Sequence, residues 1–318
     1  MENYNTSEFE QPTNSVLPKP ILEENKQNWM RKSLISLVIY AVLFYGVFDS
    51  SLSYMAALLV VLLIHELGHF FAMKAFNYTN VKLFFIPLLG AYVSGKKTSI
   101  SQRQMSIVIL AGPVPGIIIG FSLFIVNFVF PSEQLMMLAN IFLFLNLFNL
   151  LPFMPLDGGR LIEVLFLKQN HIIRIVFTII SILALAVFAI WNKSIFFIII
   201  PVSMTFELIM EIKNQKIRKY LTSENINYNV NYNELPDKDY WTIRDCVLLS
   251  FSKRYAGIQA GVHQYSIMEG GIINHISTIL KTPFSKDVKW LEKTAIIFTY
   301  IFFMIVIPII YVLLHSEI

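Results

Sequence analysis

The chain has a single cysteine, Cys246, among its 318 residues. That excludes an internal disulfide and any cysteine-built metal site, so a bound metal would fall to His, Asp or Glu. Charge is also scarce: 14% of residues are Asp, Glu, Lys or Arg against 55% hydrophobic, where a soluble domain carries about 25% charged. Mean hydropathy is +0.60. The apolar residues are gathered into long runs, so the bilayer sets the architecture and the chain reads as an all-α polytopic membrane protein. The first 30 residues lack an apolar core ahead of a small-residue cleavage site and do not read as a signal peptide. A net charge of +4 carries no nucleic-acid implication here, because basic residues in membrane proteins chiefly mark cytoplasmic loops. No repeat of 20 to 50 residues is evident.

The runs predict about seven transmembrane helices, at Leu34 to Phe48, Tyr54 to about Phe76, Met105 to Phe130, Leu135 towards Met154, Ile172 to Trp191, Ile195 to Ile212 and Thr294 to Leu314. Val81 to Gly95 is apolar, short, and interrupted by Pro87 and Gly90. It is expected to form a short re-entrant hairpin or strand segment between helices two and three. Gly112, Pro113, Pro115 and Gly116 predict a kinked third span with close backbone approach. This divides the chain into a loose cytoplasmic tail (1–33), a membrane core of six helices (34–212), a cytoplasmic region of unknown role (213–290) and a C-terminal helix (291–318). The polar region offers no choice between a surface layer and a small cap. With the N-terminus inside, 24 of the 25 Lys and Arg residues fall on the cytoplasmic side, all but Lys193, as the positive-inside rule requires.

Within the second span lies LLIHELGHFF, residues 62–71. His65 and His69, four apart, share a helix face and can reach one ion, while Glu66 stands beside them to polarise a bound water. Ionisable side chains inside a membrane span are costly and mark function. At about 1.5 Å per residue the histidines lie ~17 and ~23 Å below the outer end of a ~30 Å hydrocarbon core, in its cytoplasmic half. The fourth span also descends from outside, and Pro152 and Pro155 break it just before Asp157, at similar depth. A catalytic zinc site wants three protein ligands and one open position. His65, His69 and Asp157 meet that need, with Zn2+ as cofactor and Glu66 as general base. The competing third ligand is Glu163. The competing role for Asp157 is an ion pair with Arg160, three residues on. His171, His263, His275 and His315 read as ordinary loop or helix-end residues.

HELGH in an early span, a downstream NLLPFMPLDGGR ending another, and GAYV between them resemble the site-2 protease family of intramembrane zinc metalloproteases. The likeness covers roughly residues 54–165. It implies that the two histidines and Asp157 bind zinc, that Glu66 is the catalytic base, and that Asn149, eight residues before Asp157, helps position the substrate or its oxyanion. The family often has Asn-Pro where this chain has Asn149-Leu150, and Asn149 could equally cap the broken helix. No PDZ-like insertion or paired CBS domain is seen. The expected activity is hydrolysis of peptide bonds in or near transmembrane segments of membrane protein substrates, in the cell membrane, with a bacterial plasma membrane as the expected setting. The rival readings are a metal-binding transporter or sensor without proteolysis, and a prenyl-protein-endopeptidase-like membrane zincin using Glu163.

Overall fold

The computed structural model describes residues 17–21, 29–48, 51–86, 90–168, 170–193 and 195–315. Most of the loose-tail expectation, and Pro87, lie outside them. The described chain forms two units, one of Asn25–Met210 with Pro283–Ile318, the other of Met1–Glu24 with Glu211–Thr282.

The first unit is mostly helical, and among the described residues four helical stretches are long and apolar enough to cross a membrane: Leu52–Ala75, Gln102–Val129, His171–Trp191 and Trp290–Leu314. α1 (Trp29–Phe48) precedes α2 (Leu52–Ala75), whose start is capped by the Ser51 hydroxyl accepting the Tyr54 N–H at 3.3 Å. Between α2 and α3 the chain makes an antiparallel pair, β1 (Thr79–Ile86) and β2 (Gly90–Lys96), with Leu83 opposite Val93 and Phe85 opposite Ala91. Alternate residues Val81, Leu83, Phe85 and Val93 are buried and pack with Tyr40 and Leu62, the period-2 arrangement of a half-buried strand. Ser36 accepts the Phe85 N–H at 3.1 Å, tying α1 to β1.

β3 (Ile100–Ser101) leads into α3 (Gln102–Ala111), which continues after Gly112 as α4 (Pro113–Val129). α5 (Glu133–Asn149) ends where Pro152 and Pro155 forbid further helix, and α6 (Asp157–Ile162) begins after an irregular loop. That loop is pinned from two sides: Tyr300 donates to the Leu150 carbonyl at 2.8 Å, and the Met154 N–H donates to Ser181 at 3.0 Å. Ser181 belongs to α7 (His171–Trp191), and Tyr300 to α11 (Trp290–Ile301), which runs through a π-helical stretch into α12 (Ile307–His315). β4 (Phe284–Ser285) pairs in parallel with β3. α7 presents Leu183, Val187 and Ile190 at 60% exposure or more, a surface suited to lipid.

α8 (Ile195–Ser223) supplies residues to both units. It outlasts the apolar run, because Lys, Gln, Glu, Arg and Leu sustain a helix as well as Ile or Phe does. The second unit adds α9 (Asp237–Ser250) and α10 (Glu269–Ile279) around a core of Tyr240, Trp241, Val247, Ile272 and Ile276. Buried among these, Arg244 donates to Glu269 through Nε at 2.9 Å and Nη2 at 3.2 Å, and Glu269 also accepts from Tyr240 and Ser266. His275 is not a loop residue: it sits within α10, 5% exposed and 4.0 Å from the Phe251 ring centroid.

Candidate metal centre

The helical repeat places His65 and His69 on one face of α2, where they are 2% and 8% exposed. Each ring is fixed from behind. His69 Nδ1 lies 2.8 Å from the Val108 carbonyl of α3, which can only accept, so Nδ1 carries the proton. His65 Nδ1 lies 2.8 Å from Asn146 Oδ1 of α5. The Asn146 amide is oriented by its Nδ2 donating to the Phe142 carbonyl at 2.7 Å, so its oxygen faces His65 and Nδ1 is again the donor. Both Nε2 atoms are therefore left with lone pairs, and these face each other at 3.2 Å.

Asp157 completes the cluster. Its Oδ2 lies 3.2 Å from each Nε2 and is a buried oxygen with no other hydrogen-bond partner. Three lone pairs converging in a buried place repel unless something positive lies between them. A single proton would serve one imidazole–carboxylate contact, whereas a metal ion serves all three ligands. Tetrahedral zinc with bonds of about 2.0–2.1 Å holds its ligand atoms about 3.3–3.4 Å apart, close to the separations here. Among the described residues, His65, His69 and Asp157 form the group of metal-ligating side chains close enough to share an ion. Their donor set fits zinc with one position left open.

Two glycines make the close approach possible. An added Cβ at Gly112, between α3 and α4, would stand 2.2 Å from His69 Nε2, and one at Gly116 would stand 2.2 Å from Asn146 Nδ2. Gly112 and Gly116 thus make room for the His69 ring and the Asn146 amide.

Glu66, 7% exposed, lines the cavity of about 380 Å³ that opens beside the cluster, together with Asn149, Arg160 and residues Ala91 to Gly95 of β2. Asn149 donates to the Leu145 carbonyl at 3.0 Å, one turn back, so it both closes the end of α5 and borders the cavity. Glu163 is turned away, with Oε1 3.4 Å from Arg174 Nη1. Asp157 Oδ2 faces the two imidazoles rather than Arg160. The sequence reading missed Asn146. Its signal was an amide in the middle of an apolar span, costly there without a partner.

Residues 53–135 match the model of Peptidase family M50. The chain is 32% identical over 128 residues to stage IV sporulation protein FB of Bacillus subtilis, covering 39% of this chain and 44% of that protein. It is 30% identical over 145 residues to a zinc metalloprotease of Methanocaldococcus jannaschii, covering 42% of each. It thus spans less than half the length of both relatives. A solved structure of a site-2 protease from Methanocaldococcus jannaschii aligns with 55% of this chain and 86% of its own, at 25% identity and a TM-score of 0.42. The matched stretch holds HELGH, Gly112 and Gly116.

Proposed function

We propose that the protein is an intramembrane zinc metalloendopeptidase that hydrolyses peptide bonds in or near transmembrane segments of other proteins. The observation that carries this is the convergence of the His65, His69 and Asp157 lone pairs at 3.2 Å beside a cavity that Glu66 borders. A zinc ion held by His65, His69 and Asp157 would supply an activated water and polarise the scissile carbonyl. Glu66, bordering the cavity, is the base that would hold the proton and return it to the leaving amine. Asn146 and the Val108 carbonyl hold the two imidazoles in the tautomer that leaves Nε2 free to ligate. The pairing of Glu163 with Arg174 supports Asp157 as third ligand over Glu163.

A helical substrate has its carbonyls engaged, so it must unwind to be cut. β2 pairs with β1 along one edge, and its residues Ala91 to Gly95 border the cavity. An extended substrate adds along this segment as a further strand, and Asn149, on the same cavity, steadies its carbonyl. About seven crossings, a re-entrant β1–β2 segment, a cytoplasmic N-terminus and a bacterial plasma membrane complete the proposal, supported by the near-total placement of Lys and Arg on one side.

The test is reconstitution in liposomes with candidate single-pass substrates. Wild type cleaves within the cytoplasmic half of the span and Glu66→Gln does not. Equal cleavage by Glu66→Gln would exclude the mechanism.

A further inference from the structure

The unit that includes Glu211–Thr282 also contains a piece of the N-terminal sequence. Leu17 to Ile21, reading Leu-Pro-Lys-Pro-Ile, runs outside helix or strand. Its prolines have no N–H to offer, so the segment presents mainly carbonyls, as polyproline-type chains do. Three of these are taken by aromatic donors. Trp241 Nε1 donates to the Leu17 carbonyl at 2.6 Å, Tyr265 to that of Pro18 at 2.6 Å, and Tyr232 to that of Pro20 at 2.8 Å.

Lys19 is read at both ends. Its backbone N–H donates to Asp237 Oδ1 at 3.0 Å. Its ammonium donates to the carbonyls of Tyr232 at 2.8 Å, Asn233 at 2.9 Å and Leu235, and stands 5.4 Å from the centre of the Tyr232 ring. All three donor slots of the ammonium are filled by a turn of the receiving unit. The Trp241 ring in turn stacks against Tyr265, with centroids 5.9 Å apart.

The contacts read main-chain carbonyls and one cation, while the side chains of Leu17 and Ile21 are left 43% and 90% exposed. That is how an aromatic-lined groove holds a proline-rich ligand, not how a core is filled. We propose that this face is a recognition groove for an extended, proline-flanked lysine segment, that Leu17–Pro20 occupies it in cis, and that a segment of the same chemistry on a partner protein exchanges with it. A tethered occupant has an effective concentration of about 1 mM, so a partner segment engages when it binds better or is itself held close.

The test uses the full chain in detergent and a fluorescein-labelled peptide of residues 15–22. Lys19→Glu in the protein empties the groove by setting a carboxylate against Asp237 and three carbonyls. This protein is expected to bind the peptide at least tenfold more tightly than wild type does. The same peptide carrying Glu in place of lysine is expected to lose at least tenfold on the same protein, and Trp241→Phe, added to Lys19→Glu, to weaken binding by removing one donor. In a second arm that leaves Lys19 and the groove residues unaltered, a protease site inserted between residues 22 and 28 is cut after folding. The released tail is then expected to exchange with labelled peptide within the measurement. Equal binding of the lysine and glutamate peptides would overturn the proposal. So would a cut tail that stays bound through gel filtration and excludes the peptide, which would make the segment a permanent strap.

Discussion

Two buried polar clusters invite comparison, one in each unit. Around Glu269, carboxylate oxygens meet donors from Arg244, Tyr240 and Ser266. Every strong acceptor there has an N–H or O–H pointed at it, and the cluster closes on itself. Around Asp157, two imidazole nitrogens and a carboxylate oxygen meet one another, acceptor against acceptor, at 3.2 Å. Both clusters are buried, and both would be equally conspicuous in a count of buried polar residues. Only the second requires something further to complete it. What separates a structural network from a ligand site here is the balance of donors to acceptors, not burial or charge.

The comparison can be broken most sharply at its two carboxylates that act differently. Glu66→Gln should lower peptide hydrolysis by at least about 10²-fold with the zinc content of the purified protein unchanged, measured by single-turnover cleavage and metal analysis. Glu269→Gln should instead destabilise its own unit by about 3–5 kcal/mol, since Arg244 is left buried without its charge partner, and pulse proteolysis would read this. Zinc bound per chain should not move, and a loss of zinc in that variant would undo the distinction between the clusters. Asn146→Ala should weaken zinc binding by about 10–100-fold, because the His65 ring loses the acceptor that sets its tautomer. Gly116→Ala should act in the same direction by displacing the Asn146 amide, and competition with a fluorescent chelator would rank the two.

The smallest effect concerns pH. Burial lowers the pKa of His275 to about 4, helped by the positive charges of Arg254 and Lys213. The unfolded chain takes up this proton near pH 6.5 and the folded unit only near pH 4, so stability falls as pH drops through that window and levels off below it. Glu269 is different: burial opposes its ionisation, but its bonds from Arg244 and Tyr240 hold its pKa below the usual value, so its contribution is lost only at more acid pH. Pulse proteolysis between pH 7 and 4 should show a slope that His275→Gln flattens.

The same two regions differ in how far they could be read from sequence. His65, Glu66 and His69 are legible because their relation is local: four residues on a helix fix the face whatever surrounds it. Asp157 was reachable through the expected topology, in which two spans descending from the same side bring residues of similar depth together. Asn146 showed only as an amide in need of a partner; which partner it meets depends on Gly116 allowing α4 and α5 to approach, and that contact leaves no periodic trace. The seat of Lys19 was still less legible: its partners lie more than 200 residues away, and an aromatic groove built from a turn, a helix and a loop has no sequence period. The polar stretch from residue 213 onwards showed its composition but not its core, because Arg244 and Glu269 look like surface charges until the fold pairs them.

The central claim is that the acceptor cluster of α2 and α6 is built around a metal ion, and zinc stoichiometry tests it most directly. Protein purified from membranes without added metal should hold one zinc per chain, Glu163→Gln and Glu269→Gln should hold the same, and Asp157→Asn should lose it. Full zinc retained by Asp157→Asn, or a folded wild type that takes up no zinc when it is supplied, would contradict the account.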